Sequence, residues 1–159
     1  MMKIIKTTVR IADSDDLYPL LEVKRAANSE SDYGLDFNDY HATSYTWQYI
    51  MGDSQDIIIA EHEGEIVGCA LVATSLEYHD KPFCYMCKFW VPANGEVTDA
   101  SRRIIEAVIE WAEKKGCSHA FSTATAGLGP KYQQLFINLV KKAGFADVGP
   151  VLSLNMGNK

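Results

Sequence analysis

Residues 82–116 read PFCYMCKFWVPANGEVTDASRRIIEAVIEWAEKKG, and the fold turns on how this stretch divides. Residues 83–91 are aromatic-rich and strand-like. Pro92, Asn94 and Gly95 mark a break. A long helix follows over about residues 98–115, with Ala100, Ile104, Ala107, Val108, Trp111 and Ala112 on one stripe. Arg102, Arg103, Glu106, Glu110, Glu113 and Lys114 fall mostly off that stripe, and Gly116 after two lysines is a stop signal. A strand, a tight loop and a helix start in succession are a common way to build an anion site. The first amides of a helix have no acceptor within it and point outward.

Upstream, residues 3–12 read as a strand, with Ile4, Ile5, Val9 and Ile11 as its apolar content. Asp13, Ser14, Asp15 and Asp16 supply capping signals. Leu17, Leu20, Leu21 and Lys24 follow at helical spacing, in a helix expected to end near Asn28. Asn38 is a cap for a second helix that stops at Gly52. Residues 55–62 form a buried strand, residues 65–77 its hairpin partner, and residues 83–91 the third strand of a meander. Gly68 marks a bulge or a close backbone approach. Downstream come a short strand at 118–125, a Gly/Pro loop at 126–130, a helix at 131–143 and a last extended segment at 145–156. The order β-α-α-β-β-β-α-β-α-β predicts an α/β fold, with helices flanking a central mixed sheet.

The chain has 159 residues, 47% hydrophobic and 23% charged, which suits one domain spanning 1–159 with its own core. A net charge of −6 argues against a nucleic-acid partner. No apolar run approaches the roughly 20 residues that cross a bilayer, and the N-terminus lacks a signal-peptide pattern. The expected location is cytoplasmic, with Cys69, Cys84, Cys87 and Cys117 as reduced thiols. Cys84 and Cys87 suggest a metal pair, but residues three apart on a strand point to opposite faces, and no second pair completes a site. No metal is expected.

Three segments resemble the GNAT superfamily, the Gcn5-related N-acetyltransferases. HEGEIVGCALV resembles its second-to-third-strand hairpin, FWVPANGEVTDASRRIIEAVIEWAEKKGCSHAF its strand–pyrophosphate loop–helix core, and LVKKAGFADVG its end-of-helix signature. The likeness looks nearest to divergent, phage-type members. It implies a three-layer GNAT-like fold that uses acetyl-CoA as cosubstrate. Phe89, Trp90 and Val91 would flank the pantetheine, and Val97, Thr98, Asp99, Ala100, Ser101, Arg102 and Arg103 would surround the pyrophosphate. The family's loop is usually Arg/Gln-x-x-Gly-x-Gly/Ala, and those positions fall here on Glu96, Asp99 and Ser101. A carboxylate about 4 Å from a phosphate costs about 4 kcal/mol per charge pair at an effective dielectric of ~20. Arg102 and Arg103, folded back, would offset that charge.

The resemblance also implies a general base and a proton donor. The positions where the family often keeps them fall near Met86 and on Val140, so Tyr132, Tyr85 and Glu77 are the candidates that remain. The first two helices and their loop would wall the acceptor site, lined by Tyr33, Phe37 and Tyr40 together with His41, Tyr45, Trp47 and Tyr49. Glu30, Asp32, Asp36 and Asp39 make that region acidic, which suits a cationic amine. Two functions stay open. One is transfer of an acetyl group to a primary amine of a small molecule or protein. The other is a binding or structural protein that keeps the fold and no longer uses acetyl-CoA. An extended last strand could pair across a homodimer.

Overall fold

The computed structural model describes residues 4–31, 33–92, 99–123 and 130–149. The first strand, β1 (Thr8–Ile11), is shorter than residues 3–12 because only Thr8 to Ile11 pair in register with the next strand. A 3-10 turn at Ser14–Asp16 leads into α1 (Leu17–Glu30). The acidic run caps this turn as expected. Asp15 N–H donates to Asp13 Oδ1 at 2.9 Å, and Asp13 N–H donates to Asp16 Oδ2 at 2.8 Å. Asp16 also accepts both ends of the Arg10 guanidinium, at 2.7 and 2.8 Å. The cap of α2 (Asp39–Met51) is Asn38, whose Oδ1 accepts from His41 N–H at 3.0 Å.

Next come β2 (Gln55–His62), β3 (Glu65–Ser75) and β4 (Phe83–Trp90), then α3 (Ala100–Lys114), β5 (His119–Ser122) and α4 (Pro130–Lys142). The sheet order is β1-β2-β3-β4-β5. The first four strands pair antiparallel, and β4 pairs parallel with β5 through the α3 crossover. Gly116 closes α3 at φ 72°, a left-handed conformation that suits glycine. Residues 145–149 have no regular structure, and the rest of the expected last strand lies outside the described residues.

Alternation along the strands separates two packed layers. Ile58, Ala60, Ala70, Val72, Cys84 and Met86 meet Ile104, Ile105, Val108 and Trp111 of α3 on one face. Ile57, Ile59, Cys69 and Leu71 meet Leu20, Val23 and Tyr49 of α1 and α2 on the other. Gly68 fulfils both of its expected roles. The β2–β3 register slips beside it, and a Cβ there would lie 2.8 Å from Val91 Cγ2 and 3.0 Å from Ile104 Cδ1. Its bare backbone thus lets α3 and the end of β4 close onto the sheet. Among the described residues no helix is long and apolar enough to cross a membrane.

Candidate active site

Over its first half β4 has a strand on each edge. Phe83 to Met86 pair with Ser75 to Val72 on one side and with His119 to Ser122 on the other. The two edges then part. Beyond β5, Thr123 N–H donates to Met86 O at 3.3 Å, while β4 continues to Trp90. On the β3 edge Val72 faces Met86 but Leu71 faces Lys88, so Cys87 is an extra residue. Such a bulge bends and twists its strand, and here it coincides with the loss of β5. Among the described residues, positions 87–90 have no strand on that edge. This open edge is a slot of the kind an extended ligand fills.

The bulge also changes which way side chains face. Met86 is fully buried against α3, and Phe89 and Val91 pack on that same core. Trp90 packs with the α1–α2 layer. Lys88 is exposed and lies close enough to Lys24 of α1 to repel its charge. Unbroken alternation from Met86 would have sent Lys88 into the α3 core.

The start of α3 lies at the far end of β4. Among the described residues its first helical bond is Arg103 N–H to Asp99 O at 3.0 Å. The Asp99 carboxylate does not cap the helix. Its Oδ1 accepts from the Thr7 amide at 2.8 Å and the Thr7 hydroxyl at 2.7 Å, and Asp99 N–H donates to Ile5 O at 3.1 Å. Burial would raise the Asp99 carboxyl, but the Thr7 bonds and the nearby Arg103 and Arg102 hold it below the ordinary carboxylate value. The acid read from sequence as a cap or a phosphate-facing charge therefore fastens the lead-in to β1 onto α3. Arg102 lies along the helix, 2.6 Å from Glu106 and 3.9 Å from Asp99. Ala100 is fully buried in the core, whereas Ser101 is half-buried and Arg103 exposed. Val97 and Thr98, with the rest of the loop at 93–98, lie outside the described residues.

On the opposite face, α1 and α2 place polar groups against the slot. Tyr49 is buried, and burial first, then its bonds with Tyr45 and Cys87, push its hydroxyl above the ordinary tyrosine range. Tyr45 and Tyr49 hydroxyls are 3.4 Å apart. Lys24 Nζ lies 4.9 Å above the Tyr45 ring. Burial pushes its amine down to about 8, with Cys69 opposing and Lys88 adding repulsion. Trp90 Nε1–H donates to Glu30 Oε2 at 3.1 Å, tying the end of β4 to the end of α1.

Two of the expected catalytic residues meet. Tyr85 alternates with Cys84 and Met86 and so faces away from α3. Its hydroxyl donates to Glu77 Oε1 at 2.6 Å, and this bond raises its own ionisation. Glu77 sits at φ 49°, in the left-handed region few non-glycine residues adopt. The Tyr85 ring stacks on Phe121, and the patch continues through Phe83 to His79 and His119. Tyr132, in the first turn of α4, is half exposed.

The expected substrate residues spread out. Tyr40 is 76% exposed and edge-on to His41, Tyr33 is exposed, and Phe37 lies under the Arg25 guanidinium at 4.8 Å. Of the α2 rings Tyr49 packs with the sheet layer, and Tyr45 lies beside it with ring centroids 5.1 Å apart. Between α1 and α2 lies an open depression of about 520 Å³ lined by Leu21, Glu22, Arg25, Asp39 and Thr43. The 2.7 Å Arg25–Asp39 ion pair bridges it. Among the described residues no group of three or more His, Cys, Asp or Glu side chains is placed to hold a metal.

The model of the Acetyltransferase (GNAT) family matches residues 20–136. The chain belongs to this family. Its GNAT architecture is shared with an aminoglycoside acetyltransferase, meta-AAC0020, from an uncultured soil metagenomic sample, solved with sisomicin. That match has 15% identity and a TM-score of 0.72, covering 96% of this chain and 97% of that one. It is shared with the aminoglycoside N-acetyltransferase AAC(6')-Iy in complex with CoA, at 16% identity and TM-score 0.74, covering 96% and 95%. It is also shared with a predicted acetyltransferase from Clostridium acetobutylicum solved with acetyl-CoA, at 20% identity and TM-score 0.70, covering 94% and 96%. At these identities the likeness shows the fold. A comparison with curated protein sequences returns no match.

Within the GNAT frame, Val140 and Met86 are both buried in the α3 core, so neither position supplies a proton-transfer group. Lys24, half-buried beside Tyr45, is not among the candidates read from the sequence. Its one signal was that a lysine completes the spacing set by Leu17, Leu20 and Leu21.

Proposed function

We propose that this GNAT chain transfers the acetyl group of acetyl-CoA to a primary amine in a ternary complex. The observation that carries the reading is the edge of β4 beyond Cys87, which has no strand on it among the described residues, on the strand that precedes α3. The pantetheine lies along residues 89–91, and the pyrophosphate rests at the amides of α3 between Ser101, Arg102 and Arg103. The Asp99 carboxylate stays charged, but it is turned onto Thr7 rather than onto the α3 amides, with Arg102 3.9 Å away. The Arg102–Glu106 pair is exposed, and such pairs contribute about 0–1 kcal/mol, so Arg102 can exchange it for a phosphate.

In the reaction the amine nitrogen attacks the thioester carbonyl, the carbon–sulfur bond breaks, and the electron pair leaves on the CoA sulfur. Glu77, positioned by Tyr85, takes the proton from the amine. An ordinary thiol ionises near about 8.5, so the departing sulfur needs little help, which Tyr132 or water supplies. Positioning does the rest. The aminoglycoside and acetyl-CoA complexes of the structural neighbours support an amine acceptor and this cosubstrate.

A thermal shift tests the reading. Acetyl-CoA at about 100 times its dissociation constant adds about 2.7 kcal/mol, or roughly 5–10 °C for a domain of this size. The expected result is a shift in the wild type that shrinks in Arg102→Glu and persists in Glu77→Gln, where kcat alone falls. No shift at millimolar acetyl-CoA would leave the alternative, a GNAT-fold protein that no longer uses the cofactor.

A further inference from the structure

Lys24 occupies a position that its helix reserves for apolar residues, at the spacing of Leu17, Leu20 and Leu21. It faces the sheet and is half-buried over Cys69. Among the described residues its amine has no carboxylate partner, only the Tyr45 ring. The cation nearest in effect is Lys88, which the Cys87 bulge turns onto the same face. Glu30 is bound to Trp90, Glu77 to Tyr85 and Asp39 to Arg25. Lys88 pairs with Leu71, which packs in the same layer as Leu20 and Val23 of α1, so two amines share one face with no carboxylate partner among the described residues, an arrangement that a bound anion relieves.

We propose that the acceptor amine carries an anionic group, a carboxylate or a phosphate, held between Lys24 of α1 and Lys88 of β4 beside the slot. This rests on the acetyltransferase reading above. It names a substrate class: amino acids or amino-sugar phosphates rather than polycationic amines. The lowered ionisation of Lys24 agrees with an amine waiting for its counter-ion.

The test measures CoA release with a thiol reagent for matched acceptors. Free amino acids are set against their α-amides, and glucosamine 6-phosphate against glucosamine. The expected result is at least one pair whose anionic member has a kcat/KM at least tenfold above its neutral twin. The responding arm tells carboxylate from phosphate. Lys24→Met should cut that preference at least tenfold through KM, Lys24→Arg should keep most of it, and both should keep the wild-type thermal shift with acetyl-CoA. Neutral twins used equally well, no anionic acceptor used although acetyl-CoA binds, or Lys24→Met slowing both twins alike would each overturn the proposal. Absence of an acetyl-CoA shift in the wild type removes the acetyltransferase reading and this proposal together, whereas a shift without anion preference removes this proposal alone.

Discussion

The two faces of the sheet are built on different terms. Toward α3 the layer is aliphatic and closed, and Ile58, Met86, Ile104, Ile105 and Val108 are all 2% exposed or less. Toward α1 and α2 the same strands meet buried leucines, but also a half-buried lysine and a tyrosine pair. The polar contact described on the first face is the Trp111 Nε1–H bond to Asp56 Oδ2 at 2.8 Å. The second holds an amine whose ionisation has been moved to about 8. One face supplies cohesion, and the other spends some of it on polar groups beside the slot.

The largest expected break in this comparison is Ile104→Ala. It leaves a cavity in the closed face and should cost about 2–5 kcal/mol in urea unfolding. Next is Lys24→Met on the open face, with the opposite sign. The native amine, at about 8, lies below the ordinary value of 10.5. Between those values the unfolded chain still binds the proton that the folded chain has released, so wild-type stability rises with pH across the window. Below pH 8 the charged amine costs the fold up to about 3 kcal/mol. Lys24→Met should therefore be more stable than wild type at pH 7 by up to that amount, an advantage that fades by pH 10.5. Lys88, Tyr45 and Cys69 face the amine and remain in both proteins, so the difference between the two urea curves isolates Lys24. A flat difference would return Lys24 to the solvent. The smallest effect belongs to Arg102→Ala, which should change stability by less than about 1 kcal/mol while weakening acetyl-CoA binding in a thermal shift titration.

Much of the frame was legible because it is periodic. The α3 stripe, the meander and the caps at Asp13 and Asn38 all announce themselves by spacing or residue type. Ile105, which joins the α3 core, was the omission on that stripe. The site was legible only in part, because its geometry comes from features without a local signature. The bulge at Cys87 has no glycine or turn residue to mark it. The bond between Thr7 and Asp99 joins positions 92 apart. Tyr85 and Glu77 were each readable as candidates, but their pairing depends on the left-handed corner before β4. Lys24 was hidden by the same pattern that placed its helix.

The single added residue in β4 carries a last consequence. Removing Cys87 would leave Met86, Lys88, Phe89 and Trp90 pointing where they point now, since a plain strand alternates in the same order. What would vanish is the bend. Inside and outside would be conserved while the strand straightened, so a one-codon deletion would separate how β4 is packed from how it is bent.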